Sequence, residues 1–342
     1  MAATPNSADE RVLGAAQRGD HDAFRRLVEP HRGLLYAHCY RMLGSTQDAE
    51  DALQDALLKS WRGLSGFRRG APIRPWLVRI ATNVCLDALA RRPRRQLMLA
   101  GRGPSAPGDR PGAPLVETAW LEPYPDEVHE LADRTLEPGA RYEQRESVEL
   151  AFAAALQHLP ARQRAVLLLR DVLGYSAREV ADSLQTTTAS VNSALQRARA
   201  TVAERLPAQS QQQTLRALGD AGVRQLVQRY LAAWERHDVE AVRALLVEDA
   251  IFAMPPYAEW WQGADAVAEM FARAGIPPLR HRSLRSAGQP AVAWYVWDAD
   301  RRVYKASALE VLTIADGGIA QITAFVMPER FGHFGLPPHV DR

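Results

Sequence analysis

The chain has 342 residues, 47% apolar and 24% charged, and its 42 Lys/Arg against 40 Asp/Glu leave a net charge of +2. That is the profile of a globular protein of two or three domains. No apolar run approaches the roughly 18 residues of a membrane span, and the N-terminus has no basic-then-apolar secretion signal, so the expected compartment is the cytoplasm.

Residues 8–95 read as helical throughout and carry a net +6. Asp20 suits the N-cap of a helix carrying Phe24, Leu27, Val28, Leu34 and Leu35. Ser45-Thr46-Gln47-Asp48 opens a second helix, with Ala49, Ala52, Leu53, Ala56, Leu57 and Trp61 at helical period. A Gly/Arg-rich loop from Gly63 to Arg74 follows, and Pro75 suits the first turn of a third helix. That helix buries Leu77, Ile80, Ala81, Val84 and Ala88 and presents Trp76, Arg79 and Asn83 elsewhere. Within 62–95, nine Arg stand against one acid, Asp87. This is the footprint of a polyanion partner, or else a solvated basic face. Cys39 and Cys85 sit in helical apolar patterns and read as buried thiols.

Residues 96–140 carry a net −5. Gly101–Pro114 is rich in Gly and Pro and reads as a linker. It leads into Trp120-Leu-Glu-Pro-Tyr-Pro125, whose aromatics suggest docking on a folded domain, and then into an acidic stretch. Residues 141–206 are helical again. One helix is expected from Tyr142 to His158, and a second opens at Pro160 and stops near Gly174. Ser176-Ala-Arg-Glu179 is a capping box for a short helix to Leu184. After a threonine turn, a last helix aligns Val191, Leu195, Ala198, Val202 and Leu206 on one face. Ser190, Asn192, Ser193, Gln196, Arg197 and Arg199 lie on the other. Two short helices with a tight turn make a helix-turn-helix pattern.

From 215 to 330 the texture is α+β. Helices are expected over Leu226–Trp234, Val239–Leu246 and Ala264–Ala274, with a strand over Asp249–Met254. Strand-like runs follow at Leu279–Ser286, Ala291–Trp297, Val303–Ile314 and Ile319–Met327, with Asp316-Gly317-Gly318 as a hairpin turn. Residues 331–342 form an aromatic tail too short to fold alone.

Asp48-Ala-Glu-Asp-Ala-Leu-Gln-Asp-Ala-Leu-Leu-Lys-Ser-Trp61 resembles the polymerase-binding helix of sigma-70-type initiation factors. Arg74-Pro-Trp-Leu-Val-Arg-Ile-Ala-Thr-Asn-Val-Cys resembles the promoter-melting segment of their extracytoplasmic-function group. Leu159-Pro-Ala-Arg-Gln-Arg and Gly174-Tyr-Ser-Ala-Arg-Glu resemble the start of sigma domain 4. Both sigma domains stand in the family's order. The linker and C-terminal region are similar to a subgroup in which a SnoaL-like domain, of the nuclear-transport-factor-2-like fold, follows the sigma core. The resemblance implies a multidomain chain: all-α sigma domain 2 (8–95), a linker (96–140) and sigma domain 4 with its helix-turn-helix (141–206). An α+β SnoaL-like domain (215–330) and the tail follow.

The resemblance also implies residue roles. Asp48, Glu50, Asp51, Gln54 and Asp55 would contact core RNA polymerase at the β′ clamp, and domain 4 would contact the β flap. The plainer reading of Asp48 and Glu50, acids opposing a helix dipole, does not cover Asp55. Arg68, Arg69, Arg74 and Arg79 would hold phosphates of the −10 region, and Trp76 and Asn83 would capture unstacked bases. Trp76 fits a core position equally well. Ser190, Asn192, Ser193, Gln196 and Arg197 would face the −35 major groove, with Arg178 on phosphate. Asn192 and Ala194 stand where many relatives have a basic pair, so the promoter sequence is left unassigned. The acidic linker would run through the polymerase channel.

The C-terminal domain has no catalytic motif. Tyr257, Trp260, Trp261 and His281 are its candidate pocket residues for a small-molecule ligand, with Asp249, Glu259 and Glu310 as further ionisable groups. Polar residues satisfied within the fold remain the plainer reading of each. No cofactor, metal or membrane partner is expected. The favoured reading is an initiation factor, not an enzyme, regulated in cis by its C-terminal domain. An isomerase- or cyclase-like pocket enzyme fused to a DNA-binding module, and a regulator that binds duplex DNA without polymerase, are the alternatives.

Overall fold

The structure is a computed structural model that describes residues 7–91, 94–98, 102–126, 128, 147–275 and 277–341. The chain divides into two compact units. The first comprises Met1–Pro93, His129–Ser147 and Ala155–Arg205, and the second Arg94–Val128, Val148–Ala154 and Leu206–Arg342. The expected helix start at Tyr142, and most of the acidic stretch leading to Ala140, lie outside the described residues.

Among the described residues the first unit is helical. It starts with α1 (Ser7–Gln17), α2 (His21–Val28), α3 (Arg32–Leu43), α4 (Thr46–Gly63) and α5 (Ile73–Leu89). The Asp20 carboxylate accepts from the amides of Asp22 and Ala23, both at 2.9 Å, and so starts α2. The single helix expected across Phe24–Leu35 is instead two. Glu29–His31 is a 3-10 turn holding Pro30, whose ring and missing N–H interrupt an α-helix. Ser45 caps α4 through the Asp48 amide at 3.2 Å. Leu35 to Leu43 of α3 are all buried, so this helix is the axis on which α4 and α5 pack. From α5, Leu77, Ala81 and Val84 enter that core, whereas Ile80 and Ala88 are only half-buried. His38 of α3 meets Thr82 Oγ1 of α5 at 2.8 Å. Burial, then the neighbouring Arg41 charge, push its pKa down to about 3, so the imidazole is neutral. Cys39 and Cys85 are both buried free thiols.

The same unit continues with α7 (Ala161–Leu167), α8 (Ala177–Leu184) and α9 (Thr188–Ala203); between α5 and these lies α6 (Leu150–Gln157), inside which the division of the chain falls. Arg164 of α7 is buried and donates to the carbonyls of Met42 and Leu159 and to Gln157 Oε1. α7 runs into one π-turn over Leu168–Val172. The Ser176–Glu179 box then forms in both directions, at 3.2 and 2.7 Å. Gln185 ends α8 in the left-handed region (φ 51°), and Thr187 caps α9 through the Ser190 amide at 3.1 Å.

The second unit holds α10 (Gln211–Glu235), α11 (Val239–Arg243), α12 (Ala264–Ala274) and seven strands among its described residues. These are β1 (Leu246–Ala253), β2 (Trp260–Gln262), β3 (Leu279–Ser286), β4 (Gln289–Asp298), β5 (Val303–Ala315), β6 (Gly318–Phe325) and β7 (His339–Val340). Sheet order is β2-β1-β6-β5-β4-β3, with β7 added on β5. The β1–β6 pair is parallel and the other pairs are antiparallel. α10 begins at Gln211, well before the expected Leu226, and is interrupted at Gly219 (φ 71°, ψ 158°), a backbone that a Cβ disfavours. Gln211 and Gln212 of its first turn are buried. Gln211 exchanges two hydrogen bonds with Ile314, and the Glu149 carboxylate accepts from the amides of Gln211 and Gln212. The tail is part of this unit: Phe331 and Phe334 are buried, and β7 pairs with Tyr304 and Lys305.

Candidate functional site

The chemistry of the first unit lies on the outer faces of its helices. On α4, Ala49, Ala52, Leu53 and Ala56 are buried and hold the helix. Asp51, Gln54 and Asp55 are exposed on the opposite side. Glu50 is half-buried and pairs with Arg32 at 3.3 Å. Asp48 does not join this face. It is buried in the first helical turn, where an acid opposes the helix dipole. Leu58 is 47% exposed and follows Gln54 and Asp55 by helical spacing, so the face also offers an apolar contact. In the sequence Leu58 is hidden, because an apolar residue in a helix is ordinarily a core residue.

In the Arg-rich segment, Arg68, Arg69, Arg79 and Asn83 are exposed. Gln17 donates to the carbonyls of Leu64 and Phe67, at 3.1 and 2.9 Å, and accepts from Arg69 Nε at 3.0 Å. The loop is therefore tied to α1. Trp76 is half-buried, 4.9 Å from Phe67 between ring centroids, in a cluster with Leu13, Ala16, Ala23 and Leu64. Arg74 stands apart from the exposed arginines. It is half-buried beside Tyr175, and its charge opposes the burial that raises the Tyr175 phenol pKa.

The last helix ends at Ala203, short of the expected Leu206, but its two faces separate as far as Val202. Val191, Leu195, Ala198 and Val202 of α9 are buried, while Ser190, Asn192, Ser193, Gln196 and Arg197, with Arg178 of α8, are exposed. Arg197 donates to Ser193 Oγ at 2.6 Å along the helix. Arg199 forks onto both Asp171 oxygens, at 2.9 and 2.7 Å, which fixes α9 on the segment before it.

The second unit keeps its chemistry inside. A cavity of ≈ 340 Å³ is walled by Trp234, Phe252, Phe271, Trp294 and Tyr257, among others. At its wall sits Glu310, 6% exposed, whose Oε2 accepts from Tyr230 Oη and Trp294 Nε1, both at 2.7 Å. Burial pushes this carboxyl up to about 7 against the opposing effect of those two donors, Trp294 first. Of the predicted pocket residues only Tyr257 lines this cavity. Trp261 is fully buried in the β2–β1 pairing opposite Phe252. Trp260 donates instead to the Arg102 carbonyl at 3.1 Å. His281, on edge strand β3, meets Glu235 at 3.0 Å outside the cavity. Glu310 carried a readable signal: it shares strand phase with Leu312 and Ile314, and an acid on an apolar strand face is out of place.

The linker docks on this unit, as its aromatics suggest. Trp120, Leu121 and Tyr124 are buried. Ser105 and Leu115 amides bond the carbonyls of Trp260 and Pro256, and Gly112 and Arg102 both hold Glu259. Tyr124 O accepts from Ser286 Oγ and the Ala287 amide, and Asp126 accepts from the Gly288 amide. Those contacts support the tight β3–β4 turn, where Ala287 itself has φ 53°. Pro111 lies against the cavity as part of its wall.

Comparison with known proteins places this geometry. Family models match three stretches: Sigma-70 region 2 over residues 27–95, Sigma-70 region 4 over 149–202, and a SnoaL-like domain over 227–322. The sequence is 44% identical to the ECF RNA polymerase sigma factor SigG of Mycobacterium tuberculosis over 96% of this chain and 86% of that protein. It is 34% identical to the ECF RNA polymerase sigma factor SigM of the same species, over 58% of this chain and 85% of SigM. Among solved structures, the extracytoplasmic function sigma factor SigJ of M. tuberculosis has a similar fold. The match has a TM-score of 0.55 at 20% identity and covers 90% of this chain and 97% of SigJ.

Proposed function

The chain belongs to the extracytoplasmic-function sigma factors, and from that premise we propose which of its surfaces carry out promoter-specific initiation with core RNA polymerase. The observation that carries the reading is the outward display of polar side chains on helices whose apolar sides are sealed in the core, on α4 and again on α9. Asp51, Gln54, Asp55 and Leu58 bind the polymerase β′ clamp, and region 4 meets the β flap. Arg68, Arg69 and Arg79 hold −10 phosphates, with Asn83 on the unstacked strand; Trp76 shapes the loop beside them. Asn192, Ser193, Gln196 and Arg197 read the −35 duplex by amide–adenine and guanidinium–guanine pairing, and Arg178 touches the backbone.

The C-terminal domain regulates in cis. Its hold on the linker from Arg102 to Asp126 supports this role: main-chain bonds from Ser105 to Trp260, Leu115 to Pro256 and Ala287 to Tyr124 join the two, with Ser286 Oγ and Asp126 adding side-chain bonds. Pull-down with core polymerase and run-off transcription separate the assignments. Asp51→Ala/Asp55→Ala removes holoenzyme formation. Asn192→Ala/Arg197→Ala leaves holoenzyme intact and loses −35-dependent promoter use. Loss of polymerase binding from the second variant, or none from the first, overturns the assignment.

A further inference from the structure

The cavity of the C-terminal domain is chemically lopsided. Five aromatic residues, Trp234, Phe252, Tyr257, Phe271 and Trp294, stand on its wall, with aliphatic side chains between them. Glu310 is the one acid lining it, and none of the lining residues is Lys, Arg or His. Both hydrogen bonds to the carboxyl, from Tyr230 and Trp294, converge on Oε2 and treat it as an acceptor. Among the described residues, an ionised carboxylate here has two neutral donors and no cation lining the cavity, a costly state for a buried charge.

Aromatic rings around a single carboxylate are the surroundings that stabilise a cation, through the ring quadrupoles and the opposite charge together. A carbonyl ligand would use the carboxyl but leave the rings as plain apolar wall. The volume, ≈ 340 Å³, lies within the range of small-molecule sites. We propose that this cavity binds an apolar amine, its ammonium on Glu310 and its hydrocarbon against Trp234, Phe252 and Phe271. Pro111 of the linker forms part of the same wall, so an occupant touches the linker directly. The proposal does not depend on how the rest of the chain meets polymerase, because occupancy is read on the protein alone.

Two isosteric probes test it on the full chain: cyclohexylmethylamine and the neutral cyclohexylmethanol, titrated by calorimetry and by the fluorescence of Trp234 and Trp294. The amine is expected to bind at least about tenfold more tightly than the alcohol, the effect of one added charge-pair contact. Glu310→Gln keeps the shape and should bring the two probes within about twofold, with the alcohol unchanged. Ala308→Leu, which fills the cavity from β5 and leaves the carboxyl in place, should abolish binding of both. An alcohol that binds as well as the amine to the wild type overturns the proposal, as does an amine preference that survives in Glu310→Gln. Absence of binding by either probe at millimolar concentration, with the protein folded by circular dichroism, overturns it as well.

Discussion

The helices α4 and α9 and the C-terminal domain use polar residues in opposite ways. On the helices, acids, amides and arginines stand in water while Ala, Leu and Val hold the backbone from behind. In the C-terminal domain the informative polar group, Glu310, is enclosed by aromatics and its hydrogen bonds come from Tyr230 and Trp294. An exposed polar face contributes little to stability and is available to a macromolecular partner. An enclosed carboxyl is coupled to stability and is reachable only by something small. The two regions should therefore respond differently to substitution and to pH.

The largest effect expected is from Arg164→Met. It strips hydrogen bonds from Met42 O, Leu159 O and Gln157, and the helical unit should lose on the order of 3–5 kcal/mol in urea unfolding. Glu310 comes next. Its pKa is about 7 in the fold against 4.5 for the ordinary side chain. A raised carboxyl binds its proton more tightly when folded, so its contribution is full below 4.5 and is lost as pH rises through about 7. Tyr230, the titratable group bonded to it, is itself pushed upward by burial and stays protonated over this window. Between those limits the wild-type C-terminal domain should lose roughly 3 kcal/mol relative to Glu310→Gln, as read by segment-resolved hydrogen exchange.

His38 has the opposite sign. Its pKa falls from 6.5 to about 3, so its contribution is present above 6.5 and is lost as pH falls toward 3. By pH 5 the helical unit should lose about 2 kcal/mol that His38→Gln does not lose, in the same exchange experiment. Equal pH slopes in the two units would break the comparison. Ser176→Ala removes one half of the capping box and should cost about 1 kcal/mol. Arg197→Ala sits at the far end of the scale. Its stability cost should stay within about 0.5 kcal/mol, while discrimination among −35 sequences weakens by about 1–3 kcal/mol.

What could be read in the sequence was what is local in the chain. Asp20, Ser45 and the Ser176–Glu179 box mark helix starts because a cap and its amides are two or three residues apart. The Asp316-Gly317 turn is equally local. Pro30 is just as local, yet the apolar period runs straight through it and hides the break. The burial of Gln211 and Gln212 was hidden, since glutamines in a helix read as surface until Ile314 and Gly288 supply their partners. The cavity wall is hidden for the same reason, apart from Tyr257. Trp261 looks like a wall until β2 pairs with β1, and Glu310, although out of place on its strand, shows its partners only when Tyr230 and Trp294 close on it across the fold.

Footprinting a promoter duplex with the full chain, with and without core RNA polymerase, tests the central claim most directly. The account predicts that protection over separate −35 and −10 patches appears when polymerase is present and is weak or absent with the chain alone. The same two-patch protection from the chain by itself, at comparable concentration, would contradict it.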